Sequence, residues 1–213
     1  MALAHALLPP LGTMGRLTRQ HGYTLLDILI VVGLIGVLGA IAVPVIGSSA
    51  SGQRFRADAQ ALNNIVGLAK MRASSGFTRA RVRANLAENS FVLERWDKTT
   101  NLWVPEGGTE RTFRDVRFGF SVLGTPPPNT QDAIALSPPC RGGIDAASVE
   151  IGDTACIVFN SRGLPIDGEG ALFGGHALYL TDGSGVYATT VTATPRIRLW
   201  WTPLTTTSWS EQQ

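Results

Sequence analysis

One stretch, Gly22 to Ile46 (GYTLLDILIVVGLIGVLGAIAVPVI), constrains what the remainder of the chain can be. No charged residue occurs from Ile28 through Ile46. At about 1.5 Å rise per residue, Leu25 to Ile46 makes a helix of roughly 33 Å, enough to cross a bilayer core. Everything after it is therefore expected to be carried by a membrane helix. Asp27 is the odd feature, because a carboxylate at the start of such a run costs a few kcal/mol in hydrocarbon and persists where a partner neutralises it. The partner type that suits it is a cation, and a cut between Gly22 and Tyr23 would create one, the α-amino group of Tyr23. A secretory signal peptide would instead show a short apolar core followed by its cleavage site. A simple anchor accounts for the preceding arginines by the positive-inside rule and leaves Asp27 unexplained.

This arrangement resembles the class III signal of type IV pilins and of the pseudopilins of type II secretion. The family pattern is a basic leader, a glycine at the cut, an aromatic first mature residue, a carboxylate at the fifth mature position and a proline at the twenty-second. Arg16, Arg19 and His21 supply the basic leader, and Gly22, Tyr23, Asp27 and Pro44 stand at the other positions. The family usually has glutamate where this chain has Asp27, which keeps the charge on a shorter side chain. The resemblance implies a leader, residues 1–22, removed by a prepilin peptidase that also methylates the amine of Tyr23. It implies that Asp27 then pairs with the Tyr23 amine of a neighbouring pilin or pseudopilin, and that the helix can unwind near Pro44. Met14 offers an alternative start to Met1, with the shorter leader MGRLTRQHG.

Residues 77–213 hold 12 Arg and Lys against 14 Asp and Glu, which is not the electrostatic footprint of a general nucleic-acid binder. Cys140 and Cys156 are the only cysteines, and both follow the membrane segment, on the side that the positive-inside rule puts outside the cytoplasm. In an oxidising periplasm a disulfide is the natural reading, worth about 3 kcal/mol in the chain-entropy model. The alternative is two unpaired buried thiols; zinc lacks ligands, since His176 is the one histidine after the leader.

The expected class is α+β, a long N-terminal helix packed on a β-rich head, divided into the leader 1–22, a transmembrane and stem helix 23–76, and a head 77–213. The stem follows from Phe55, Ala59, Leu62, Val66, Ala69 and Ala73 recurring at steps of three and four, with Arg54, Asp58, Asn63 and Lys70 elsewhere on the wheel. Ser74-Ser75-Gly76 should end it. Period-two segments then predict strands at 79–84, 90–96, 116–122, 155–160, 177–180, 186–192 and 196–202. Val116 to Val122 and Arg196 to Thr202 alternate so that each should bury one face. Turn-rich tracts at 105–109, 124–130, 137–143 and 163–170 should be loops. The block CIVFNSRGLPIDGEG, with ALYLTDGSG and RIRLWW after it, resembles the C-terminal half of the GspH/FimT-type domain of minor pseudopilins, on Phe159, the turn glycine Gly163 and a closing basic-apolar strand.

No catalytic constellation stands out: there is no Cys-His pair, no glycine loop leading into a basic helix start, and no metal ligand set. Gly174-Gly175-His176 and Asp182 to Gly185 read as turns. Asp167 and Glu169 flank Gly168, but two carboxylates are fewer than calcium usually takes. Arg79, Arg81 and Arg83 alternate and so should line one strand face, either solvated or able to grip an anion such as DNA together with Arg196 and Arg198. The solvated face is the expected reading. The whole points to a non-enzymatic minor pilin or pseudopilin without a cofactor, held in the inner membrane with its head in the periplasm and later built into a filament. The rivals are a DNA-uptake minor pilin and a simple membrane-anchored periplasmic protein.

Overall fold

The structure, a computed structural model, describes residues 24–145, 147–206 and 208–212, with the side chains of residues 40–50 outside that description. Gly22 and Tyr23 lie outside the described residues, and Pro44 is described only as part of a helix backbone. The chain divides into two compact units, Met1–Gly47 and Ser48–Gln213.

One helix, α1, spans Leu25–Ser75. Thr24 starts it: its Oγ1 accepts from the Asp27 amide at 3.3 Å while Asp27 Oδ2 accepts from the Thr24 amide at 3.0 Å. This reciprocal pair is a capping box with aspartate in the usual place of glutamate. At the other end the Gly76 amide donates to Arg72 O at 3.0 Å and the Thr78 amide to Ala73 O at 3.2 Å, closing the helix where Ser74-Ser75-Gly76 predicted. Among the described residues no helix is long and apolar enough to cross a membrane.

In the second unit, the six apolar stem residues Phe55, Ala59, Leu62, Val66, Ala69 and Ala73 are each at most 3% exposed, so the 3.6-residue period is the buried face. Asp58 departs from its expected polar side and is buried. The 112–116 turn lies against it, and Asp58 Oδ2 replaces lost water by accepting the Phe113 amide at 2.8 Å. Burial pushes its carboxyl above the ordinary range.

The strands are β1 (Ala80–Asn85), β2 (Ser90–Asp97), β3 (Leu102–Pro105), β4 (Glu110–Arg111), β5 (Arg117–Phe118), β6 (Cys140–Arg141), β7 (Glu150–Ile151), β8 (Thr154–Phe159), β9 (Pro165–Ile166), β10 (His176–Thr181), β11 (Gly185–Val191), β12 (Ile197–Pro203) and β13 (Ser210–Gln212). They form a first sheet ordered β3-β2-β1-β8-β9 with β4 also on β2, a second ordered β13-β12-β11-β10-β5, and the small pair β6-β7. All pairings are antiparallel. The architecture is thus α+β. The stem stripe shares one core with Val82, Leu93 and Ile157 of the first sheet and Leu178, Tyr187 and Leu199 of the second. Gly163 allows close approach there: its φ is 73°, and an added Cβ would stand 3.3 Å from the Lys70 carbonyl oxygen.

Two strand expectations need correction. Only Arg117–Phe118 of the 116–122 segment pairs as a strand. Gly119 and Ser121 take positive φ, 141° and 54°, so the alternation breaks and Val122 is left 83% exposed while Leu123 is buried. Nor does β12 bury one face only. Trp200 packs with Tyr179, Val186 and Ala188 in a second core behind the second sheet, covered by Phe120, Ile134, Leu136 and Trp209. The 119–137 loop supplies most of that cover, which is why a proline-rich tract can be ordered there. The short strands β3, β4, β6, β7, β9 and β13 were not expected. Each holds two to four residues, too few for a period to show.

Candidate functional site

The described start of α1 is an apolar surface without cover. From Leu25 to Leu38 eleven large aliphatic side chains are each at least 53% exposed. Successive residues of a helix point about 100° apart, so these side chains face every direction, and Asp27 is the one charged group among them. Its carboxylate is turned back onto the Thr24 amide, where the exposed N–H groups of a helix start favour negative charge. A helix of this kind can bury its surface only against lipid or other apolar helices.

On the head, alternation along β1 puts Ala80, Val82 and Ala84 into the core and Arg81 and Arg83 on the outer face of the first sheet. That face is not solvated. Arg81 is 3% exposed, its Nε donates to Glu94 Oε2 at 2.6 Å, and its Nη1 donates to Arg141 O at 2.5 Å. Burial pulls the Arg81 guanidinium below its ordinary value, and the Glu94 carboxylate pulls it back up. Arg83 Nε shares the same carboxylate at 3.1 Å. Trp103 of β3 stacks over the Arg81 guanidinium at 4.1 Å and donates its indole N–H to Gly143 O at 3.3 Å. Arg79 reaches Ile144 O at 2.7 Å. Together these donors hold the 141–144 carbonyls down over the sheet. The disulfide between Cys140 and Cys156 fixes the same segment covalently, with Cys156 opposite Arg83 in the β1-β8 register.

The arginine row is therefore a clamp on its own chain, contrary to the solvated face expected. Arg198 of β12 pairs with Glu211 at 3.5 Å, and Arg196, exposed just before β12, belongs to the second sheet's side of the domain. The five arginines considered as one anion patch are not offered as one: Arg81 is buried, and Arg81, Arg83 and Arg198 already have carboxylates.

Behind the clamp is a cavity of about 30 Å3 lined by Arg81, Trp103, Arg141, Cys156, Ile166 and His176. It has room for a water-sized molecule and no organic substrate. His176 is the first residue of β10, not part of a turn, and is 2% exposed. Its Nε2 donates to Ile166 O at 3.0 Å and its ring meets Phe173 edge-on at 4.8 Å. Because a carbonyl only accepts, that contact assigns the proton to Nε2 and leaves the buried Nδ1 as an unpaired acceptor. Burial lowers its pKa to about 4. Nothing in the sequence marked it, since one histidine beside two glycines reads as a turn.

Asp167 spends one carboxylate oxygen on the amides of Glu169 and Ala171, both at 2.9 Å, which makes the 167–171 segment a self-capped turn. Among the described residues no group of three or more His, Cys, Asp and Glu could hold a metal ion. The Asp182–Gly185 turn is as expected: Asp182 caps the Ser184 and Gly185 amides between β10 and β11.

No protein-family model matches this chain, and no curated protein matches it. Among solved structures, the minor pseudopilin EpsH from the type 2 secretion system of Vibrio cholerae is similar, with a TM-score of 0.41 at 12% identity over 68% of this chain and 94% of that one.

Proposed function

We propose that the chain is a minor pseudopilin or minor pilin, a structural subunit rather than an enzyme. In this reading prepilin peptidase cuts after Gly22 and methylates Tyr23, and the helix anchors the precursor in the inner membrane with its head in the periplasm. The helix then moves laterally into a filament. What carries the reading is the uncovered apolar helix from Leu25 to Leu38 with Asp27 alone at its start. The apolar sequence runs on to Ile46, past the described side chains, and gives the length a bilayer requires. Thr24 satisfies the Asp27 carboxylate within one chain; after cleavage the Tyr23 amine of a neighbouring subunit competes for it. In a dry helix bundle an unpaired charge is costly, so that competition selects the register of assembly.

The test is co-expression with a prepilin peptidase followed by N-terminal sequencing and mass analysis. The expected product begins with N-methylated Tyr23, Gly22→Trp leaves the precursor, and Asp27→Ala is processed but enters filaments poorly. A chain that keeps its leader, or starts elsewhere, refutes the reading and favours a plain membrane-anchored protein. No observation favours the DNA-uptake pilin, because most of the arginines it would recruit are engaged within the chain.

A further inference from the structure

At the end of the stem an open depression of about 420 Å3 is bordered by Phe77, Arg79, Trp96, Lys98, Ile144 and Arg162. Its charge is one-sided. Among the described residues seven ion pairs tie arginines to carboxylates, and none involves Arg79, Lys98 or Arg162. No Asp or Glu is among the residues that line it. Arg79 and Lys98 are held in place by neutral acceptors, Ile144 O at 2.7 Å and Phe77 O at 2.8 Å, so their positions are set while their charges stay uncompensated.

Phe77 makes the depression more than a basic patch. It occupies the left-handed position after the helix, φ 48°, where glycine is the ordinary choice, and the residue is 75% exposed. A phenylalanine there is disfavoured twice, by backbone strain and by apolar exposure, while a glycine stands unused for the purpose one residue earlier. Aromatic residues and arginine are enriched at the cores of protein interfaces relative to the rest of the surface. Strain retained at such a position points to use.

We propose that this depression is a docking site for an acidic polypeptide segment of a protein partner, one in which carboxylates flank an apolar side chain. Arg79, Lys98 and Arg162 take the carboxylates, and Phe77 takes the apolar group, since Trp96 is itself buried against Trp103. A long polyanion is the poorer fit. The three cations border one depression, and residues 77–213 carry 14 acidic against 12 basic side chains, which repel an extended phosphate chain beyond it. The site lies on the head and does not depend on whether the N-terminal helix enters a filament.

The experiment uses the full-length chain in non-ionic detergent as bait for a displayed library of random decapeptides, in parallel with Arg162→Glu. Arg162 is exposed, so that variant keeps the fold. Wild type should enrich peptides with carboxylates around an apolar residue, and Arg162→Glu should not. The best peptide, labelled, is then measured by anisotropy against Phe77→Gly. Relief of strain should raise the thermal midpoint of that variant by a few degrees, while affinity falls about tenfold. Binding loss together with a stability gain separates a docking residue from a structural one. The proposal is overturned if no acidic peptides are enriched, or if the variants bind them as wild type does. It is equally overturned if a short labelled DNA duplex binds more tightly than the peptide at about 0.15 M salt.

Discussion

Arg81 and Glu94 form an ion pair at 2.6 Å with side chains only 3% and 4% exposed, so neither charge has water to fall back on. Removing one partner should cost much more than the pair is worth, because the remaining charge stays buried. Glu94→Gln leaves both Arg81 and Arg83 without a counter-ion and is expected to lose about 3 kcal/mol in urea titration. Arg83→Ala removes only the half-exposed member, and should cost under about 1 kcal/mol. Equal effects from the two variants would show that the buried pair is not the anchor of this face.

The disulfide acts on the same layer. Cys140 and Cys156 are 16 residues apart, and joining them is worth about 3 kcal/mol by restricting the unfolded chain. Reduction should lower the midpoint accordingly. It should also raise hydrogen exchange first in 138–151, the segment it shares with the Arg79 and Arg81 contacts, while β10 and β11 stay protected. Uniform exchange across both sheets would contradict that local role.

His176 gives the head a pH dependence with a definite sign. Its folded pKa of about 4 lies below its ordinary 6.5, so the unfolded chain binds the proton first. The stability it contributes is complete above pH 6.5, is lost as pH falls towards 4, and falls no further below that. The drop is about 3 kcal/mol by linkage. Asp167 opposes the shift without cancelling it. His176→Gln should flatten the stability profile over that window; a variant with the wild-type slope would assign the titration to another group.

What could be read in advance follows from how much of the information is local. The stem stripe was legible because six apolar residues repeat at helical spacing, and burial then follows from geometry. For β1, alternation told which residues share a face but not what covers it. The cover is the 138–151 segment, some sixty positions away from Arg81 and without a period of its own; the two cysteines were its one visible trace. At 116–122 the alternation was present, and the backbone turns at Gly119 and Ser121 overrode it. The capping of Asp27 by Thr24 follows a four-residue pattern in which aspartate replaces the usual glutamate, so the signature is weaker in the sequence.

The stem decides where the head can be cut. Helix α1 ends at Ser75, and the second compact unit begins at Ser48, within that helix. A fragment starting at Phe77 would lose Phe55, Ala59, Leu62, Val66, Ala69 and Ala73, and would expose the faces of Val82, Leu93, Ile157 and Tyr187 that they cover. Burying side chains such as Phe, Leu and Val is worth about 1.5–3 kcal/mol each, so the loss approaches the whole stability of an ordinary domain, about 5–15 kcal/mol. A fragment of residues 77–213 should therefore be unfolded or aggregated, whereas residues 48–213 should give a dispersed amide spectrum and one cooperative transition. The milder change Val66→Ala in the longer fragment should cost about 2 kcal/mol, at the lower end for a buried aliphatic truncated to alanine. A cooperative, dispersed 77–213 fragment would mean that the sheets close on each other without the helix, and that the stem stripe is a covering layer instead of part of the core.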